Sequence, residues 1–328
     1  MQPISSSEVK YSRSLRFLCS LSASLQFFIR GVMYSPSPIG SHPSWTWPYG
    51  DFFIPQYANL WERDFPLIKR LGANTIRISS WNDQLDHGYF LDQAHRAGLK
   101  VIVTFNIGNV WQNPIREEWQ RQQILGRFTW QFQKYLNHPA LLAWSFGEQM
   151  NLPANGFLQA FSDARQCPWN GHDFFQDGIG CFNNPHTDSS CAGPTACVYE
   201  GFFTFLNMAA SYGKNIMGEK RAHLIIASLS DVDIAWKRMR QFSHHVRNLD
   251  GWGLQIYRGK NFGEGKEDFL TNYEKETPYN AAGEKNGPPK PLIVVEYGVD
   301  AYNDPCGTSD ETVSREKYIS RLERSNVS

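Results

Sequence analysis

The sequence predicts an α/β protein of the (β/α)8 barrel class. Three observations predict it: apolar runs of strand length recur along the chain, amphipathic stretches separate several of them, and the 328 residues suffice for one such barrel. The first run is Phe27 to Tyr34. The next are Asn74 to Ser80, Lys100 to Asn106 and Leu141 to Phe146, followed by His223 to Ser228, Gly253 to Tyr257 and Leu292 to Glu296. Continuous Val/Ile/Leu runs, rather than strict alternation, suit strands covered on both faces. Helices are expected at Leu60 to Leu71, where Leu60, Phe65, Leu67, Ile68 and Leu71 share a face and Gly72 ends the run, at Tyr89 to Ala97 before Gly98, and at Glu117 to Leu136. Thr312 to Leu322 resembles a helix after the seventh strand. No eighth strand is legible, so the expectation is an incomplete barrel with its last strand missing at the C-terminal end; an open sheet is the alternative. Residues 1–26 are expected to form a lead segment and 27–328 the barrel domain. Residues 152–199 form its largest irregular insertion, and Gly259 to Pro289 a second long loop.

Composition narrows the partners. Lys plus Arg and Asp plus Glu both number 32, so no net field recruits nucleic acid or another polyanion. A neutral partner fits better, and the aromatic content of 14% supplies flat faces suited to sugar rings as well as to a core. No apolar stretch approaches the ~20 residues of a membrane span. Lys10, Arg13 and Arg16 ahead of the apolar run Leu15 to Leu25 form a faint, broken echo of a secretory signal. Cys167, Cys181, Cys191 and Cys197 crowd into the long insertion, as in a disulfide-stapled loop of a secreted protein, and Cys306 lies within reach of the same face. Their connectivity stays open, as does the oligomeric state. Neither the cysteines with His172 and His186 nor the pairs His244-His245 and Asp231-Asp233 have familiar metal spacing, so no metal and no cofactor are expected. The sequence holds no phosphate-binding glycine loop and no serine-hydrolase elbow.

The strongest chemical signal is Pro291-Leu-Ile-Val-Val-Glu296-Tyr297-Gly298, a buried strand that ends in a carboxylate. In parallel α/β folds the C-terminal strand ends converge on the active site, so Glu296 is the candidate nucleophile. A retaining glycosidase needs a second acid about 5 Å away, one group attacking and the other exchanging protons. The second motif, Leu141-Leu-Ala-Trp144-Ser-Phe-Gly147-Glu148-Gln149-Met-Asn151, offers it.

These two motifs resemble the fourth-strand and nucleophile-strand motifs of clan A glycoside hydrolases, a group that includes β-galactosidases, β-mannosidases and fungal β-1,3-glucanosyltransferases. Phe28-Ile-Arg-Gly31-Val-Met-Tyr34 resembles the first strand, Asn74-Thr-Ile-Arg77 the second, and Trp252-Gly-Leu-Gln-Ile-Tyr257-Arg258-Gly259 the sixth. The resemblance implies that Glu296 is the nucleophile, that Arg77 and Tyr257 hold it ionised, and that Tyr34 lines a sugar subsite. The fourth strand departs from the pattern. The family reads Gly-Asn-Glu with the Glu as acid/base, whereas this chain reads Gly147-Glu148-Gln149. Gln149 cannot exchange a proton as a carboxylic acid does, and Glu148, as the neighbour, is expected on the opposite face of a strand. Trp81, Asn82, Asn106, Trp111 and Asn151 follow strand ends and are sugar-subsite candidates. The reading is a secreted or wall-associated retaining hydrolase or transglycosylase of β-linked oligo- or polysaccharide. The alternative is a carbohydrate-binding barrel that lacks the usual acid.

Overall fold

A computed structural model describes residues 27–106, 118–148, 194–218, 223–231, 246–256 and 290–297, with backbone alone for 194–202. Each expected strand is present in that region: β1 (Gly31–Met33), β2 (Thr75–Ile78), β3 (Lys100–Phe105), β4 (Leu141–Phe146), β5 (Leu224–Ser230), β6 (Gly251–Ile256) and β7 (Leu292–Tyr297). All neighbours pair in parallel and in sequence order, and β7 comes back beside β1. Only a sheet curled into a barrel brings its first and last strands together.

Helices wrap the outside. In α1 (Ala58–Arg70) Trp61, Phe65 and Ile68 recur at helical spacing and are buried, and in α2 (Gly88–Arg96) Phe90, Leu91 and Ala94 do the same. Both helices end with basic residues in the last turn, Lys69 with Arg70 and His95 with Arg96, where cations complement the helix dipole. Helix α3 (Glu118–Lys134) buries Ile124, Leu125, Phe128 and Phe132. Helix α4 (Pro194–Met217) corrects the sequence reading, because it starts inside the stretch expected to be irregular up to residue 199. Its side chains Phe203, Phe205, Leu206, Ala209 and Ala210 are buried. The run of glycine, cysteine and asparagine before it hid this start, since a helix-wide apolar face has no single period to reveal it.

Two apolar layers result. The larger joins the outward strand residues Ile76, Ile78, Val101, Val103, Phe105, Trp144, Phe146, Trp252 and Leu254 to the helices. The smaller contains strand residues alone, Ile102, Ala143, Ile226 and Val295 with Leu142, Leu224 and Ile293 against them, and so fills the barrel interior. Gly253 leaves the room this layer needs: a Cβ there would meet Val295 Cγ1 at 3.0 Å and the Ala227 carbonyl oxygen at 3.3 Å.

The pairing slips by one residue at two places. Val101 and Ile102 face Leu141 and Ala143, which leaves Leu142 as an extra residue in β4. Leu254 and Gln255 face Val294 and Glu296, which leaves Val295 extra in β7. A bulge puts two successive residues on one face where regular alternation would separate them. Val295 accordingly fills the interior and Glu296 after it still points inward.

Candidate active site

Five inward side chains, Arg77, Glu148, Ser228, Gln255 and Glu296, meet at the C-terminal end of the barrel. Arg77 sits on β2 between the outward Ile76 and Ile78, and its side chain is 3% exposed. Its guanidinium forks: Nη1 donates to Glu296 Oε2 at 2.8 Å, and Nη2 donates to Glu148 Oε1 at 2.7 Å and to Ser228 Oγ at 3.2 Å. Met33 Sδ on β1 lies 3.5 Å from Nη1. Gln255 on β6 shares the inward parity of Gly253, and its Nε2 donates to Glu148 Oε2 at 2.5 Å and to Glu296 Oε2 at 2.7 Å. The opposite amide orientation would aim a carbonyl oxygen at two carboxylates, so the chemistry decides the assignment.

The shared amide nitrogen limits the spacing. Two oxygens hydrogen-bonded to one nitrogen at 2.5 and 2.7 Å can be no more than about 5.2 Å apart, a ceiling compatible with the ~5–5.5 Å carboxyl spacing of retaining enzymes. Two carboxylates at that distance repel by roughly 3 kcal/mol at an effective dielectric constant of about 20. The buried guanidinium of Arg77 between them offsets this, since each of its contacts at a similar dielectric attracts by roughly as much or more.

Gly147 brings Glu148 into this group. Regular alternation from the inward Ser145 would send residue 148 to the outer face. Strand β4 stops at Phe146, however, and Gly147 adopts φ +65° while its N–H donates to the Phe105 carbonyl at 2.9 Å. That left-handed turn swings Glu148 inward, where it is about one third exposed and open to a ligand. Gly147→Ala is therefore expected to cost about 1–2 kcal/mol of stability from backbone strain, and to lower activity by more than that strain accounts for by moving Glu148 off Arg77. Denaturant unfolding alongside steady-state turnover separates the two effects; parallel small losses in both would show that residue 147 does not aim the carboxylate.

Other sequence candidates lie elsewhere. Tyr34 has the parity of the outward Val32: it packs against Phe53 and Phe65, and its hydroxyl donates to Asp64 Oδ2 of α1 at 3.0 Å. Burial, with the Asp64 carboxylate beside it, raises its pKa far above the ordinary phenol value, so it is a neutral donor in the helix layer rather than a lining of the cleft. Trp81 is also packed outward. It stacks on His87 at 3.8 Å, meets Trp144 edge-on, and its Nε1 donates to Gln131 Oε1 at 3.3 Å. Both side chains take the helix-layer face, Tyr34 by alternation along β1 and Trp81 by the path of the chain after β2. The Asn82 side-chain oxygen accepts from the Gln84 N–H at 3.0 Å in a local turn. Asn106 follows β3 on the exposed rim. Gln149, Asn151, Trp111 and Tyr257 lie outside the described residues, as do His244, His245, Asp233, Cys167, Cys181, Cys191 and Cys306. Asp231 is buried, with its N–H on the Gln255 carbonyl at 3.0 Å. Among the described residues no group of three or more His, Cys, Asp or Glu side chains is placed to hold a metal ion.

Gln255 and Ser228 were not singled out in the sequence. The available signal was their parity: each lies an even number of residues from an interior position of its own strand, Gly253 and Ile226 respectively.

The pair of convergent carboxylates can now be set beside known proteins. Residues 5–162 match the family model Glyco_hydro_72, glucanosyltransferase. The resemblance to retaining clan A barrels is borne out by that match. Over 81 residues the chain is 32% identical to 1,3-beta-glucanosyltransferase GAS5 of Saccharomyces cerevisiae, a stretch covering 25% of this chain and 15% of the relative. It is 35% identical over 81 residues to 1,3-beta-glucanosyltransferase PGA4 of Candida albicans, covering 25% of this chain and 16% of that one. The matches thus span only about a sixth of the length of these curated relatives. Among solved structures, Saccharomyces cerevisiae Gas2p in complex with laminaripentaose aligns at 16% identity with a TM-score of 0.50, covering 85% of this chain and 51% of Gas2p. Bacteroides uniformis beta-glucuronidase 2 aligns at 17% identity with a TM-score of 0.52, over 90% of this chain and 28% of the enzyme. These likenesses establish the TIM-barrel fold of the seven parallel strands.

Proposed function

We propose that the chain is a retaining β-glucan transglycosylase or hydrolase that works by double displacement. The observation that carries this is the pair Glu148 and Glu296, held within about 5 Å by one guanidinium and one amide at the strand ends. Glu296 attacks the anomeric carbon, and its bond to the aglycone oxygen breaks as Glu148 delivers a proton to that oxygen. Glu148, now a carboxylate, takes a proton from the acceptor hydroxyl as that oxygen displaces Glu296. Water as acceptor gives hydrolysis, and a sugar hydroxyl gives an elongated glucan.

Arg77 and Gln255 act by position. They hold Glu296 in geometry for attack and tie it to its partner, while Ser228 steadies the guanidinium. The similarity to enzymes named 1,3-beta-glucanosyltransferases supports β-1,3-glucan as the substrate class and an extracellular or wall-associated setting. Among the described residues no helix is long and apolar enough to cross a membrane.

Incubation with laminarihexaose, followed by mass spectrometry of the products, is expected to show oligosaccharides both shorter and longer than six units. Shorter products alone would reduce the activity to hydrolysis. No product from any β-glucan would favour the second reading, a glucan-binding barrel without turnover, for which the Gly147-Glu148-Gln149 sequence is the specific support.

A further inference from the structure

The loop between β1 and α1 carries the densest exposed aromatic surface of the described residues. Trp45 is 80% exposed, Trp47 49% and Tyr49 60%, within five residues. Exposed rings usually signal a partner when they cluster, because leaving them in water forgoes their burial. They sit on a built base. The Trp45 and Thr46 N–H groups donate to the His42 carbonyl, the Tyr49 N–H to the Thr46 carbonyl at 2.7 Å, and the Tyr57 hydroxyl to the Trp47 carbonyl. Beneath them Asp51 is 2% exposed, and its Oδ2 accepts from the Asn82 N–H at 2.6 Å and faces His87 Nε2 at 2.8 Å, which pins the loop to the segment after β2.

Two facts choose the occupant. The loop leaves β1 directly after Met33, whose sulfur touches Arg77, so it rises on the face of the barrel where Glu148 and Glu296 converge. Moreover, no Asp, Glu, Lys or Arg occurs anywhere from Tyr34 to Gly50, although a fifth of the chain is charged. An ionic or phosphorylated partner finds no counter-charge there. What remains are ring faces and neutral polar groups: the Ser41 and Ser44 hydroxyls, and a His42 ring that receives the Ser44 N–H on Nδ1 and so carries its own hydrogen on Nε2.

From this geometry we infer that Trp45, Trp47 and Tyr49 form an outlying subsite for the distal part of a neutral glycan, stacking on the C–H faces of sugar units that extend out of the cleft. The proposal rests on the functional reading above for the identity of the glycan. A loop held rigid before binding spends little ordering entropy on the contact, which favours long chains over short ones.

The test is calorimetric titration of the Glu296→Ala chain, in which turnover is blocked, with laminarihexaose and with laminaribiose. The double variant Trp45→Ala/Trp47→Ala is expected to weaken hexaose binding by about tenfold and to leave biose binding unchanged, whereas Trp45→Phe/Trp47→Phe, which keeps aromatic faces, retains most of the hexaose affinity. Equal hexaose affinity with and without the indoles overturns the subsite. So does an equal loss for both lengths, or a change in sedimentation without a change in sugar binding, which would make the rings a contact between copies of the chain. Failure of catalysis registers separately, as absence of turnover by the unsubstituted chain, and leaves the length-dependent binding comparison intact.

Discussion

Turnover of an aryl β-glucoside should fall by a factor on the order of 10⁴ or more in Glu296→Ala, because that change removes the atom that forms the covalent intermediate. Added azide should restore part of the rate. The small anion occupies the space of the missing carboxylate and displaces the aglycone in a single inversion, so the recovered product is the α-glucosyl azide. Stereochemistry makes the result specific to the nucleophile: in a variant lacking only the acid/base, azide would instead intercept the glycosyl-enzyme and give the β-azide. An active Glu296→Ala enzyme, or β-azide from it, would remove Glu296 from the role. The folded state should tolerate the change, since the alanine takes away one of two carboxylates competing for Arg77 and leaves that cation paired with Glu148.

Glu148→Gln should cost about 10²–10⁴ in rate on laminari-oligosaccharides, the usual worth of a positioned acid/base. The loss should shrink on a glucosyl fluoride, whose leaving group needs little protonation, and azide should yield the β-glucosyl azide. Gln149→Glu in the unaltered chain should then bring no gain, because residue 148 already supplies the proton. A harmless Glu148→Gln together with a gain from Gln149→Glu would place the acid site at 149 and leave this chain an impaired enzyme. The geometric case for 148 is its inward turn at Gly147 and its two bonds to Arg77 and Gln255.

Much of the barrel was legible because buried parallel strands are runs of Val, Ile and Leu bounded by glycine or polar residues, and β2, β3, β4 and β7 are such runs. Strand β6 was less so: its residues Gly251 and Trp252 lay outside the expected strand, since a pair of glycines reads as a turn when the crowding that requires them is unseen. Helix α4 lost its first turn to a segment read by composition. In the candidate site, Glu296 stood out by its strand position and Arg77 by the family resemblance, whereas the facing of neighbouring residues was not legible. The family resemblance points Tyr34 at sugar, and a strand end does so for Trp81, yet both side chains turn to the helix layer. In the sequence Gln255 is one polar residue in an apolar strand, although an uncharged amide is what two close carboxylates can share without adding charge. Such facts depend on three-dimensional parity, which a single chain encodes only through its register with distant strands.

Both segments that bear the carboxylates contain an extra residue in their ladders, Leu142 in β4 and Val295 in β7. Each works like a frameshift in a text. Pairing either strand straight through, with the same residues and no bulge, would leave the composition and hydropathy of the chain untouched, yet it would exchange inside for outside for everything beyond that point: Trp144 would compete for the lumen, or Glu296 would be carried into the wall against the helices. The inward facing of the two carboxylates therefore depends on where each ladder slips, at aliphatic positions that carry no chemistry of their own.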